Sequence, residues 1–97
     1  MKILVVDDEE MMREMLVQLF EMEDHTVASA SDGVESIEAY TSFSPDAILL
    51  DVMMPNMNGF EVCKKIRSEF LDKKTKIYMF TGKGGGDVES QGLELGA

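Results

Sequence analysis

Side chains that carry oxygen stand where three of this chain's short apolar runs end. Asp7 and Asp8 follow Ile3-Leu4-Val5-Val6, Asp51 follows Ala47-Ile48-Leu49-Leu50, and Thr81 follows Ile77-Tyr78-Met79-Phe80. If the runs are neighbouring strands, spaced about 4.8 Å apart, the acids at their ends converge on one small volume. Three carboxylates confined together repel one another and call for a cation. Their hard oxygens, with room left for water, suit Mg²⁺. One carboxylate can then act as nucleophile toward a phosphoryl group whose oxygens share the metal, and Thr81 can donate a hydrogen bond to that group. The plainer reading has each acid capping the next helix. It serves for Asp7 and Asp8 but strains at Asp51, where loop material from Met53 to Gly59 follows instead of a helix start.

The elements that would position these groups can be read from hydrophobic period. Ile3 to Val6 is continuous, β-branched and too short for a helix, which suits a strand buried on both faces. Asp7-Asp8-Glu9-Glu10 ends it and supplies a cap and an acidic first turn for a helix. Met11, Met12, Met15, Leu16, Leu19 and Phe20 form that helix's apolar stripe. Asp24-His25 breaks the pattern before a second strand, Thr26 to Ala30. Asp32 with Glu35 reads as a capping pair for a second helix that turns Val34, Ile37 and Tyr40 inward, and Ser44-Pro45 stops it. Ala47 to Leu50 is a third strand. Phe60, Cys63, Ile66 and Phe70 mark the buried side of a third helix, with Lys64, Lys65 and Arg67 outside. Ile77 to Phe80 is a fourth strand, Gly82 to Gly86 a linker, and Asp87 a cap for a weak helix toward Ala97. This alternation predicts an α/β fold: a doubly wound parallel sheet with helices on both faces. Such sheets bind ligands at the carboxyl ends of their strands, where the unusual residues lie.

Composition narrows the function classes. The chain has 97 residues, 19 acidic and 9 basic, for a net charge of −10, and 44% of it is hydrophobic. That balance fits one globular domain over residues 1–97 and not a disordered acidic tail. Residues 1–63 hold 14 acids and 2 bases, whereas residues 64–97 hold 5 acids and 7 bases. The basic cluster from Lys64 to Lys76 is read as a solvated face, and the overall acidity argues against direct nucleic-acid binding. No apolar run approaches the ~20 residues of a membrane helix, and no signal-peptide core is evident, so a cytoplasmic location is expected. The single cysteine, Cys63, excludes an intrachain disulfide and reads as a small core residue. His25 reads as a turn residue. Met11, Met12 and Met15 are expected to be adaptable core filler, and Met53, Met54 and Met57 to pack the loop beside the acids. Gly82-Lys83-Gly84-Gly85-Gly86 lacks the ending of a P-loop and the spacing of a dinucleotide fingerprint.

Five segments carry a family resemblance: Ile3-Leu4-Val5-Val6-Asp7-Asp8-Glu9, Pro45-Asp46-Ala47-Ile48-Leu49-Leu50-Asp51-Val52-Met53-Met54-Pro55, Asn58-Gly59-Phe60-Glu61, Phe80-Thr81-Gly82 and Gly92-Leu93-Glu94-Leu95-Gly96-Ala97. In this order and spacing the chain resembles the receiver domain of two-component response regulators, the CheY-like family. The resemblance implies that Asp51 accepts a phosphoryl group from the phosphohistidine of a histidine kinase or phosphotransfer domain. It implies that Asp8 and Asp51 bind Mg²⁺ directly, that the Met53 carbonyl is a third protein ligand, and that Asp7 acts through water. Thr81 would be the switch hydroxyl. It implies the strand order 2-1-3-4, followed in the family by a fifth strand ending in Lys-Pro and a fifth helix.

The chain's last residue is Ala97, before that fifth strand and helix, which amount to roughly 17 residues at typical lengths. The expectation is therefore a receiver incomplete at its carboxyl end, without the family's lysine, and not an enzyme. Its fourth strand would be an apolar edge open to homodimeric or strand-swapped pairing. The competing expectation is a phosphorylation-impaired receiver that serves as an interaction domain or carries no signal. A phosphohydrolase of the haloacid dehalogenase type fits poorly, because Asp51-Val52-Met53 lacks that chemistry's second acid.

Overall fold

Each apolar run singled out above becomes a strand, and the first three strands each lead into a helix that returns to the sheet's opposite end. The computed structural model describes residues 1–80 apart from Met53, Pro55 and Asn56. The element order is β1 (Lys2–Val6), α1 (Glu10–Met22), β2 (Thr26–Ala30), α2 (Gly33–Phe43), β3 (Ala47–Asp51), α3 (Gly59–Ser68) and β4 (Lys76–Phe80). All strand pairs are parallel, in the order β2-β1-β3-β4, which is the doubly wound order expected. The expected glycine linker and the weak helix after Asp87 lie outside the described residues. Among the described residues β4 is an outer strand, with Ile77 turned into the core and Tyr78 exposed.

The register keeps the strand ends level. Val6 pairs with Ala30 on one side and Leu50 on the other, and Asp51 pairs with Phe80. The central strands are covered on both faces, so Leu4, Val5, Val6, Ile48 and Leu50 are almost wholly buried. Val62, Cys63 and Ile66 of α3 close over β1, β3 and β4 to complete the core. Cys63 is a core residue, as expected, and burial pushes its thiol pKa up.

Local chemistry sets the helix ends. The Asp32 carboxylate accepts the Glu35 N–H at 2.7 Å, the capping pair expected for α2. That helix ends at Ser44, whose left-handed backbone (φ 51°) points its N–H at the Tyr40 carbonyl, before the buried Pro45. Asn58 caps α3 by accepting the Glu61 N–H at 3.0 Å. The start of α1 differs from expectation. Glu9 occupies the cap position without a side-chain hydrogen bond, and Asp7 instead accepts the Glu9 N–H at 2.9 Å.

Three burial expectations are corrected. No residue of α1 is fully buried, and Met11, Met12 and Met15 are exposed rather than core filler. Apolar residues occupy more than one side of α1, while β1 and β2 cover only the side bearing the partly buried Leu16, Val17 and Phe20. Met11, Met15, Leu19 and Met22 fall on the other side. On α2, Val34 is exposed, while Ile37 and Tyr40 pack against the core and Ser36 is buried. Phe70 lies beyond the end of α3 and is exposed, although its ring meets Tyr40 edge-on at 5.2 Å.

Tyr40 also fixes the turn between α3 and β4. Its hydroxyl donates to the Asp72 carboxylate at 2.6 Å, which also accepts the Thr75 hydroxyl and the N–H groups of Lys74 and Thr75. Burial raises the Asp72 pKa, but the Thr75 and Tyr40 hydroxyls and the two N–H groups outweigh it. They hold the carboxyl well below the usual range. The same environment pushes the Tyr40 phenol up to about 12, with burial the largest cause. Because the folded pKa of Asp72 is depressed, its contribution is complete above the unfolded carboxyl pKa near 4 and declines as pH falls below it. Asp72→Ala is expected to cost about 2 kcal/mol at neutral pH, since it leaves several donors without their acceptor. Urea melts from pH 7 to pH 3 should show a shallower acid limb in the variant; parallel limbs would contradict the assignment.

Candidate functional site

β1 and β3 are adjacent and parallel, and Val6 pairs with Leu50, so the next residues, Asp7 and Asp51, emerge side by side. Asp8 completes the group. A carboxylate oxygen from each of Asp7, Asp8 and Asp51 lies within 4.8 Å of the other two. Asp7 and Asp51 are 3% and 7% exposed, while Asp8 faces solvent. The cluster thus has a sheltered floor and one open side, which admits a cation with part of its hydration shell. Three hard, anionic oxygen donors with a wet side fit Mg²⁺ better than a soft metal.

Backbone contacts fix both halves of the site. On the β1 side, the Asp7 N–H donates to the Ala30 carbonyl at 3.2 Å. The Arg13 guanidinium donates to the Asp7 carbonyl at 2.9 Å and so ties the first turns of α1 to the end of β1. The sequence reading did not single out Arg13. Its signal was available: Arg13 and Lys2 are the 2 bases among residues 1–63, and Arg13 follows the acids by less than two helical turns.

On the β3 side, the Gly59 N–H donates to the Val52 carbonyl at 3.1 Å. A Cβ on Gly59 would stand 2.6 Å from the Asp51 carbonyl oxygen and 3.0 Å from Val52 Cα. Only a glycine lets α3 start this close to the strand end. Met54 and Met57 pack against the core beside the site, as expected for loop packing. Met53 and Thr81, the other two site residues expected from sequence, lie outside the described residues. An open hollow of about 320 Å³ between Tyr40, Pro45, Phe70 and Asp72 lies at the opposite ends of the strands, where the Asp72 turn uses its polar groups.

The family model for the response regulator receiver domain matches residues 3–97. The chain belongs to this family. Among curated relatives, it is 42% identical over 96 residues to response regulator MprA of Mycobacterium ulcerans, covering 99% of this chain and 40% of that protein. It is 44% identical to the alkaline phosphatase synthesis transcriptional regulatory protein PhoP of Bacillus subtilis, covering 99% of this chain and 39% of that one. The receiver thus spans about two fifths of the length of the curated relatives it matches. Among solved structures, chemotaxis protein CheY4 of Vibrio cholerae superposes with a TM-score of 0.91 at 33% identity, covering 99% of this chain and 80% of that one. The BeF3-activated receiver domain of Klebsiella pneumoniae RstA gives 0.89 at 25% identity, covering 100% and 80%.

Receivers are the signalling domains of two-component response regulators. Among the described residues, no helix is long and apolar enough to cross a membrane.

Proposed function

We propose that this receiver accepts a phosphoryl group on Asp51 from the phosphohistidine of a histidine kinase or phosphotransfer domain, with Mg²⁺ at the acid cluster. The supporting observation is the convergence of Asp7, Asp8 and Asp51, two of them buried, at the ends of the two central strands. A carboxylate oxygen of Asp51 forms the new bond to phosphorus as the phosphorus–nitrogen bond breaks, and the imidazole leaves with the electron pair. Asp8 and Asp51 would hold the metal, Asp7 would act on it through water, and the Met53 carbonyl would supply a further oxygen. When bound, the ion offsets the negative charge of the carboxylates and of the phosphoryl oxygens. Thr81, as the switch hydroxyl, moves toward the transferred group and donates a hydrogen bond to it.

The site performs one transfer and then stores charge. The transferred group carries close to two negative charges and replaces the single charge of the Asp51 carboxylate, so the site gains about one negative charge beside Asp7 and Asp8, and that change biases the conformation of the surrounding loops. The domain therefore acts as a switch and not as a turnover enzyme, and it works in the cytoplasm, where kinase phosphohistidines are formed.

The test is direct. Incubated with Mg²⁺ and acetyl phosphate, the protein should gain one phosphoryl adduct by intact mass spectrometry, and EDTA should prevent it. Alkaline hydroxylamine should remove the adduct, as expected of an acyl phosphate. No adduct at saturating donor and Mg²⁺ would overturn the proposal.

A further inference from the structure

The acids are braced from a third element as well. Gly33 opens α2 on the flank of the site and is buried. A Cβ placed there would overlap the Met57 carbonyl oxygen and lie 2.5 Å from Met57 Cβ and 2.9 Å from its carbonyl carbon. Two residues further on, a Cβ on Gly59 would stand 2.6 Å from the Asp51 carbonyl oxygen and 3.0 Å from Val52 Cα. The order in space is therefore α2, then residues 57–59, then the end of β3, with both gaps too narrow for a methyl group.

This stack has little room to yield. Met57 already packs against the core, Asn58 is tied to the first turn of α3 through Glu61, and Gly59 is bonded to Val52. Neither glycine owes its place to a left-handed backbone. Alanine is the better helix former at position 33, so lack of space is what disfavours a side chain there. Closely packed interiors transmit such a displacement and do not absorb it. Added thickness at residue 33 would press on Met57, carry through Gly59 and shift the backbone that bears the Asp51 carboxylate.

We infer that Gly33 is a positioning residue for Asp51, setting through Met57 and Gly59 the distance between Asp51 and the Asp7–Asp8 pair. The inference rests on the phosphoacceptor reading above and names a residue that touches neither metal nor phosphoryl group. Supporting residues around metal ligands commonly change affinity by ten- to a hundredfold when altered. Gly33→Ala is therefore expected to weaken Mg²⁺ binding about tenfold by calorimetry on the folded protein. Phosphorylation by acetyl phosphate should slow by a similar factor, about tenfold, even at saturating Mg²⁺.

Three measurements separate positioning from general stability. Met57→Gly removes the Cβ that blocks the added methyl and gives the backbone at residue 57 the freedom to turn its carbonyl aside, so Gly33→Ala/Met57→Gly should bind Mg²⁺ within about threefold of the wild type, a strongly non-additive pair. Ile37→Ala, a cavity elsewhere on α2, should lower the melting temperature and leave Mg²⁺ affinity unchanged. If Gly33→Ala alone does not fold, the double variant carries the test. A folded double variant that binds Mg²⁺ tenfold or more weakly than the wild type, or that fails to fold, overturns the inference. So does a folded Gly33→Ala that matches the wild type. A wild type that neither binds Mg²⁺ nor takes up phosphate defeats the phosphoacceptor reading itself, which is a different result.

Discussion

Asp51→Asn should leave the chain folded and abolish phosphate uptake from acetyl phosphate, a loss on the order of 10⁴-fold or more. The amide has nearly the shape of the carboxylate, so the packing of Val52 and Gly59 around β3 is kept. It carries no anionic oxygen to attack phosphorus. The same change removes one negative charge from a cluster whose oxygens lie within 4.8 Å of one another. Without Mg²⁺, the variant should therefore be as stable as the wild type or more so, because like-charge repulsion is relieved. Mass spectrometry and a urea melt on the same sample test both halves. Phosphate uptake at the wild-type rate by Asp51→Asn would place the acceptor elsewhere.

Leu50→Ala should be the most damaging change to stability among the substitutions considered. Leu50 has no exposed surface, lies on a central strand and is part of the main core cluster. Truncating a buried leucine to alanine costs about 2–5 kcal/mol, the higher values arising where the surroundings cannot collapse into the cavity. Strands on both sides of β3 and α3 above it leave little scope for collapse, so a loss of about 4 kcal/mol is expected. A domain of this size has about 5–10 kcal/mol in total, so the variant should be partly unfolded at 37 °C. Circular dichroism melts would show it, and a loss under about 1 kcal/mol would mean the core repacks far more freely than its burial implies. Since Leu50 immediately precedes Asp51, saturating Mg²⁺ should recover part of the loss by binding only the folded state.

The legible parts of the fold were those decided locally. Apolar runs of four residues identified β1, β3 and β4, the break at Asp24-His25 marked the start of β2, and Asp32 with Glu35 located the start of α2, because a cap involves residues only three apart. The stop at Ser44-Pro45 was legible for the same reason. Where the sequence was ambiguous, the local signal had more than one solution. The apolar residues of α1 cover more than one side, and nothing in their spacing says which side meets the sheet. Val34 and Phe70 failed similarly, since an apolar residue near a helix end can face either way. Arg13 reaches back only six residues to Asp7, whereas Gly33 meets Met57 far along the chain, and hydrophobic periodicity reports neither contact.

By itself, the sequence determined the alternation of strands and helices, the acids at the strand ends and, through its motifs, the receiver family. Those features depend on residue type and short-range spacing, and the chain states both outright. Only the tertiary structure decided that Asp7, Asp8 and Asp51 share one volume, which of them is exposed, and how tightly α2 presses on the loop behind Asp51. Those are distances between segments far apart along the chain, and they are set by strand register and by how closely two backbones can approach.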